Sequence, residues 1–442
     1  MCPTSATVTP VRELEARRLA VFEALGDGVM VLPGAAIQFA SRDTERPYVP
    51  DRELFYLTSL VSPGCVAVLR GGAEQRLDVF SPPRDPDAEL WSGPRLDPDD
   101  VCRVSGADDV HPIEKLASLL PGMLESADRI HARLGAASQI DHIVVDALRH
   151  ARSRGPRRGA GPRGVTDPGE ILDELRLRKS AYEVDLIRAA CDVTLAGHRA
   201  AARVIAEGVG EWVVEAELER GFRAGGATRP GFASIVGGGD NACVLHYVAN
   251  NSTIPSGGLV LVDAGAECGL YNGDVTRTYP ANGRFRAEQR EVYELVDRAR
   301  RAAISAIAPG VSIAEVHDAS SRVLTGGLVD LGILSGDVSE LIEEGRHRDF
   351  FPHQTSHWLG LDVHDPGDYE LEGRSRALEV GMVLTVEPGL YFRPQLCKTG
   401  AKTWSGIGIR IEDDVVVTDD GAHVLTSGLP TAIDEIEDMV GQ

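Results

Sequence analysis

Residues 258–265, GLVLVDAG, and residues 381–389, GMVLTVEPG, are built alike: a glycine, an apolar β-run, one acid (Asp263 or Glu387) and a glycine beyond it. Each is followed by a second acidic strand, GDVTRTY with Asp274 and GIGIRIEDD with Glu412. The order acid, turn, strand, acid thus occurs twice, and such a repeat would set two acid pairs face to face across a pseudo-two-fold axis. Successive side chains of a strand alternate faces, so Asp274, Thr276 and Thr278 point one way, and Arg410 shares a face with Glu412. A lone acid on a strand usually faces solvent. Asp263 and Glu387 instead close runs of four or five apolar residues, where an unpaired carboxylate is costly unless a cation neutralises it. A buried arginine is the ordinary partner for one such acid and a poor account of four.

Between the second and third acids lies FFPHQTSHWLGLDVHDPGD (350–368), which sets His353, His357 and His364 close together. His353 and His357 are spaced for one face of a helix, but Pro352 and Gly360 argue for a short or irregular segment. No H-E-x-x-H is present, which disfavours a single-zinc site of the thermolysin type. What remains is one ligand plus helpers that orient a substrate or donate to a developing oxyanion. Four carboxylates (Asp263, Asp274, Glu387, Glu412) and the imidazole of His357 offer hard oxygen donors and one borderline nitrogen. That set suits two divalent ions sharing a site, Mn²⁺ ahead of Co²⁺ or Zn²⁺, and does not suit a redox or thiolate centre.

Other features carry less. His246, in CVLHYVANN, sits between an apolar run and a polar loop, and a lone histidine is more often structural. The GGGD at 237–240 has neither a P-loop Lys-Ser/Thr nor a G-x-G-x-x-G spacing and reads as a turn. No G-x-S-x-G occurs, and no cysteine sits in a nucleophile signature. The seven cysteines are scattered without a C-x-x-C pair and read as reduced, mostly buried thiols.

A formal charge of −22 and a pI near 5.0 exclude the basic footprint of a nucleic-acid binder and adhesion to an anionic membrane. No stretch of about 18 apolar residues occurs, and the N-terminus lacks a basic region followed by an apolar run. The expectation is a cytoplasmic protein with no membrane span. At 442 residues, 43% of them hydrophobic, the chain should form an α/β (α+β) protein of two domains. In the first, short strands (GVMVLPG, CVAVLRG, RLDVFSPP) alternate with helical stretches (ELEARRLAVFEAL, IEKLASLLPGML). Residues 151–169, rich in Arg, Gly and Pro, read as an exposed connection, and the boundary falls near 170. Beyond it, Ser180 and Glu183 form a capping box ahead of a long helix that Gly208 and Gly210 would end. Further helices are expected at 212–224, 287–308 and 313–331, with strands at 258–263, 272–280, 382–387 and 407–418.

At this point the residues resemble those of a known family, aminopeptidase P, the Xaa-Pro aminopeptidases among the pita-bread metallopeptidases. LVDAGAECGLYNGDVTRTYPANGRF, HQTSHWLGLDVHD, GMVLTVEPGLY and GIGIRIEDD are similar to its metal-site segments in order and spacing, and RDTERPYVPDRELFYLTSL and DAELWSGPRL to its N-terminal domain. The resemblance implies a creatinase-like α/β domain over 1–170, serving oligomerisation and the substrate site, and a catalytic pita-bread domain with its pseudo-two-fold repeat over 171–442. It further implies Asp263 as ligand of one ion, Asp274 and Glu412 as bridges, and His357 and Glu387 as ligands of the other. The two ions would hold a hydroxide between them, and Glu387 would carry its proton to the leaving proline nitrogen. His246, His353 and His364 would line the substrate site, Tyr391 and Arg410 would lie close to the metals, and Arg374 would face the substrate. Trp91 and Asp43 would reach a neighbouring subunit's active site, so a homo-oligomer, a dimer or tetramer, is expected.

The arginine-rich loop at 154–163 and the segment PQLCKTGAKTWS before GIGIRIEDD depart from the family pattern, which bears on peptide length more than on chemistry. The function implied is hydrolysis of proline-containing peptides between an N-terminal residue and a following proline. The alternatives are a prolidase restricted to Xaa-Pro dipeptides and a non-catalytic pita-bread binding protein. A creatinase-like amidinohydrolase would lack the five ligands.

Overall fold

The computed structural model describes Cys2 and residues 8–154, 161–397 and 402–441. The chain divides into two compact units, Val8–Leu175 and Arg176–Gln442, with Cys2 belonging to the second. In the first unit, β1 (Val29–Pro33), β2 (Val66–Arg70), β3 (Arg76–Ser81), β4 (Asp109–Pro112), β5 (Ile130–His131) and β6 (Val165–Thr166) form one sheet in the order β4-β3-β2-β1-β5-β6. The three apolar runs read from the sequence are β1, β2 and β3, which pair antiparallel, while β4, β5 and β6 join in parallel. Val29, Val31, Val66, Val68 and Phe80 of this sheet pack with Leu116, Leu120 and Leu124, whose spacing of four puts them on one face of the helix Leu116–Leu124. The helix Ser138–Arg154 runs on into the stretch expected to be a connection, and Ile140 and Val144 bury its apolar face in the same core. Residues 155–160, with Arg157 and Arg158 of that loop, and residues 398–401 of the divergent segment before GIGIRIEDD lie outside the described residues.

The second unit carries β7 (Arg229–Pro230), β8 (Ile235–Gly238), β9 (Leu259–Ala264), β10 (Ala266–Cys268), β11 (Tyr271–Asn272), β12 (Val275–Pro280), β13 (Glu370–Leu371), β14 (Arg374–Ser375), β15 (Val383–Val386), β16 (Gly389–Tyr391), β17 (Gly408–Arg410), β18 (Asp413–Thr418) and β19 (Gly421–Val424). Two antiparallel three-stranded sheets, β12-β9-β8 and β15-β18-β19, embody the repeat seen in the sequence. The helices Ala181–Val204, Glu211–Ala224, Ala287–Ala306 and Ile313–Asp330 share one apolar core with β9. The capping box is formed: Glu183 N donates to Ser180 Oγ (3.3 Å) and Ser180 N to Glu183 Oε2 (3.0 Å).

Several expected boundaries move, each for a reason of hydrogen bonding. The long helix ends at Val204, ahead of Gly208, because Ile205 turns extended (ψ 120°) and Gly208 N is taken up by Ile254 O. The strand expected at 272–280 is interrupted at 273–274, between β11 and β12, since Gly273 N bonds Ala266 O and Asp274 N bonds the Asp414 carboxylate. The strand expected at 407–418 breaks at 411–412. There Ile411 N turns to Pro388 O and Glu412 N to Thr276 O, so the backbone changes partners. Gly237 and Gly238 belong to β8, and the expected turn becomes a 3₁₀ segment, Gly239–Cys243. The expectation of reduced cysteines is corrected for one pair: Cys2 and Cys268 are joined in a disulfide, with Cα atoms 5.3 Å apart. They stand 266 residues apart, so no local spacing signals them. Cys65, Cys191, Cys243 and Cys397 are buried free thiols, and Cys102 is exposed. No helix among the described residues is long and apolar enough to cross a membrane.

Arg277, wholly buried, ties the two sheets together. Its Nη1 donates to Thr276 O and Glu412 O, its Nη2 to Asp413 Oδ1 and Leu429 O, and its Nε to Pro430 O. Arg300 Nη1 holds the other oxygen of Asp413 at 2.6 Å. Replacing Arg277 with methionine strands those acceptors and should lower stability by about 3–5 kcal/mol, read from urea unfolding of metal-free protein. A loss below about 1 kcal/mol, the scale of an exposed pair, would contradict this account.

Candidate metal centre

Both strand pairs deliver their acids to one end. Asp263 lies near the end of β9 opposite Thr276, and Asp274 immediately precedes β12. Glu387 follows β15, and Glu412 precedes β18. Thr276 joins the two pairs, its Oγ1 donating to Glu412 Oε2 (2.6 Å) and accepting from Arg410 Nε (3.1 Å). Arg410 also donates to Asp263 Oδ2, and to the Tyr391 hydroxyl at 2.8 Å. Tyr391 is therefore part of the polar network, and its hydroxyl lies 2.9 Å from His353 Nε2.

The segment 351–369 is irregular, so His353 and His357 do not share a helix face. It is registered against β15 by hydrogen bonds from Thr385 N to His357 O and from Glu387 N to Thr355 O. His357 Nδ1 lies 3.1 Å from Trp358 O, which assigns the proton to Nδ1 and leaves the Nε2 lone pair free. Nε2 faces Asp274 Oδ2 at 3.5 Å and Glu387 Oε1 at 3.6 Å.

Burial pushes the carboxyls of Asp274 and Glu412 well above the usual range, and the neighbouring acids add to the rise. It pushes Glu387 up to about 7 even though His357 and Arg410 pull it back. Arg410 is the guanidinium set against these acids, one positive charge against four carboxylates. Asp263 Oδ1 and Asp274 Oδ1 are buried with no hydrogen-bond partner. Donor atoms of Asp274, His357 and Glu412 lie within 4.8 Å of one another. Missing positive charge, unpartnered oxygen lone pairs and a bare imidazole nitrogen are what divalent ions would satisfy, so these residues fit the metals.

The acids open into a cavity of about 1060 Å³, which His246, His353 and His364 also line. His246 and His364 are exposed to it. The His364 ring meets that of His357 edge-on at 4.3 Å, and burial together with His357 lowers its pKa. His353 is different: burial lowers its pKa to about 3, and both ring nitrogens are engaged, Nδ1 by Gln354 O and Nε2 by Tyr391. It stays neutral and braces Tyr391. Arg374 stands exposed on β14 and is not among the residues lining the cavity, although the adjacent Ser375 is. Asp43 and Trp91 belong to the first unit, both exposed, Trp91 at 88%.

Three supporting groups were not singled out by sequence. Asp414 accepts from Asp274 N (2.9 Å) and Cys191 Sγ (3.2 Å), and burial raises its carboxyl to about 7; the acidic run of GIGIRIEDD was its signal. Thr385 Oγ1 accepts from His357 N, and its alternation with Glu387 was visible. His317 lines the cavity with Nδ1 2.9 Å from Thr355 Oγ1, and nothing in its helix marked it.

Residues 14–131 match the profile of the aminopeptidase P N-terminal domain, and residues 185–419 that of metallopeptidase family M24. The Xaa-Pro aminopeptidase of Escherichia coli (strain K12) is 39% identical over 97% of each chain, and Xaa-Pro aminopeptidase 3 of Homo sapiens is 32% identical over 94% of this chain and 81% of its own. Among solved structures, Pseudomonas aeruginosa aminopeptidase PepP matches with a TM-score of 0.93 at 44% identity, covering 98% of each chain. Zinc-substituted E. coli aminopeptidase P in complex with product matches at 0.92 and 38% identity, again over 98% of each.

The raised carboxyls give the metal-free protein a defined pH response. A carboxyl whose folded pKa lies above its unfolded value binds its proton more tightly when folded, so its stabilising contribution is present below the unfolded pKa and lost as pH rises through the folded one. For Glu387 that window runs from 4.5 to about 7. Metal-free protein should therefore melt at a lower temperature at pH 8 than at pH 5. The increment gained on adding a divalent ion, which needs deprotonated ligands, should grow over the same interval. Thermal melts with and without chelator across pH 5–8 check both signs. A metal-free melting temperature that rises with pH, or an increment that does not grow, would contradict the buried-acid account.

Proposed function

This chain belongs to metallopeptidase family M24 and is a metal-dependent hydrolase, and we propose that it is an Xaa-Pro aminopeptidase, cutting the bond between an N-terminal residue and a following proline. The observation that carries this reading is four carboxylates and a free imidazole nitrogen gathered around one guanidinium at the wall of a large cavity. Asp263, Asp274, His357, Glu387 and Glu412 would hold two divalent ions, which when bound supply Lewis acidity and an acidified water at neutral pH. Glu387 takes the proton released on attack and delivers it to the proline nitrogen, which needs one to leave. Arg410 holds Asp263 and Tyr391 in place. His246 and His364, open to the cavity, hydrogen-bond the substrate carbonyl and the product side. Phe232, Leu245, Val248 and Val363 on the cavity wall give a proline ring an apolar surface and keep bulk water away.

The proposal extends to Mn²⁺ as the native ion, supported by the oxygen-rich donor set, and to the cytoplasm, supported by the predominance of free thiols, five cysteines against the one Cys2–Cys268 disulfide. It extends also to a homo-oligomer in which Asp43 and Trp91 reach a neighbouring subunit's site. The adjacent Leu90 and Trp91, 81% and 88% exposed, support that role. Light scattering should then give a mass above that of one chain, and Trp91→Ala should weaken tripeptide cleavage while leaving metal content unchanged. A monomer whose activity ignores the substitution would remove the oligomer from the proposal.

Over a prolidase, the full-length likeness to Xaa-Pro aminopeptidases favours the present reading. Metal-stripped protein, with and without Mn²⁺, incubated with Arg-Pro-Pro and Ala-Pro tests it. Arginine should be released from Arg-Pro-Pro only with metal, and Glu387→Ala should slow release about a hundredfold or more. Cleavage of Ala-Pro alone would make the protein a prolidase. Cleavage of neither with Mn²⁺, Co²⁺ or Zn²⁺ would point to a non-catalytic binding protein.

A further inference from the structure

Glu211, in the first turn of the helix Glu211–Ala224, is wholly buried and has no part in the reaction above. Its Oε1 accepts from Gly238 N (2.8 Å) and Asn241 Nδ2 (2.9 Å). Its Oε2 accepts from the Tyr247 hydroxyl (2.9 Å) and Ser252 N (2.8 Å). Gly238 and Asn241 stand where the chain leaves β8, and Ser252 stands where it returns to pair with residues 208–211, so one carboxylate closes the segment 239–252 at both ends. Asn250, with φ +45°, adds a second tie: its side chain accepts from Val236 N (2.9 Å) and donates to Ser234 O (2.8 Å). The base is packed too closely to slide, since a Cβ on Gly237 would lie 2.8 Å from Asn241 O. Gly239 is fixed differently, by its φ of +59° and by Pro255, whose Cγ would lie 2.6 Å from an added Cβ. Between the ties, Val244, His246 and Val248 are exposed, and Leu245, His246 and Val248 line the cavity.

We infer that Glu211 is a positioning residue: it buckles the 239–252 strap so that His246 is presented to the substrate in one place. The inference rests on the reading of His246 given above. A buried carboxylate that satisfies four donors costs stability when removed in any case, so stability alone does not decide the matter. Coupling to His246 does, because a small misplacement from a distant change can cost about a hundredfold in rate.

The test uses metal-loaded full-length protein carrying Glu211→Gln, His246→Ala or both, assayed on Arg-Pro-Pro, with amide hydrogen exchange measured in parallel. Glu211→Gln should lower kcat/KM about ten- to a hundredfold, mostly in kcat. In the His246→Ala background it should cost less than about threefold, because the two act as a unit. Metal content should be unchanged, and exchange should quicken over 239–252 but not in β9 or β12. An undiminished Glu211→Gln penalty in the His246→Ala background, or unchanged exchange over 239–252, overturns the inference. Should Glu211→Gln fail to fold, Tyr247→Phe, which removes one donor, must give the same pattern at smaller size, and its absence overturns the inference equally. If the unsubstituted enzyme cleaves neither peptide, it is the peptidase reading that fails, and the exchange pattern still decides whether Glu211 orders the strap.

Discussion

One guanidinium, that of Arg410, stands among four carboxylates brought together by two strand pairs, and the second unit is organised around that imbalance of charge. Arg410 reaches Asp263, Tyr391 and, through Thr276, Glu412. It can pair with one acid fully and with the others only in part, so burial drives the remaining carboxyls upward and leaves oxygen atoms of Asp263 and Asp274 without partners. An arrangement so costly to the bare protein persists because a bound cation can answer it.

Holding the acids there constrains the backbone. Asp263 and Glu387 close largely apolar strands, Asp274 and Glu412 stand just ahead of β12 and β18, and the backbone shifts partners where the latter two begin: Asp274 N turns to Asp414, and Glu412 N turns to Thr276 O. Arg277 then locks β12 to the 412–413 junction from the buried side, and Arg300 supports Asp413 from the helix Ala287–Ala306. A second layer, Asp414, Thr385 and His317, fixes the backbone and the imidazoles that face the cavity. Ligand direction in such a site is set as much by these neighbours as by the ligands themselves.

Much of this was legible in the sequence, and the parts that were not have a common cause. The duplicated acid-turn-strand-acid pattern gave the two sheets, and the alternation of β12 gave the shared face of Asp274 and Thr276, because both are local and periodic. The breaks at 273–274 and 411–412 were missed, since they depend on hydrogen bonds to Ala266, Asp414 and Pro388. Cys2 and Cys268, His317 and Glu211 escaped for the same reason, their partners lying tens to hundreds of residues away. Arg374, placed by resemblance at the substrate, stands exposed on a hairpin whose Glu370 and Ser375 line the cavity. His353 lines the cavity as expected and also braces Tyr391, a contact that only the direction of its ring nitrogens could reveal.

The central claim is that divalent ions supply the positive charge that the acid cluster lacks. Metal analysis of the purified chain, dialysed against Mn²⁺ and then freed of excess ion, tests it most directly, with Asp274→Asn/Glu412→Gln protein, which removes the charge of both proposed bridging acids, as the comparison. The account predicts two ions bound per chain, and near-complete loss in the doubly substituted protein, which stays folded because it has shed buried charge. Folded native chain that retains no ion, or a doubly substituted protein that retains both, would contradict it.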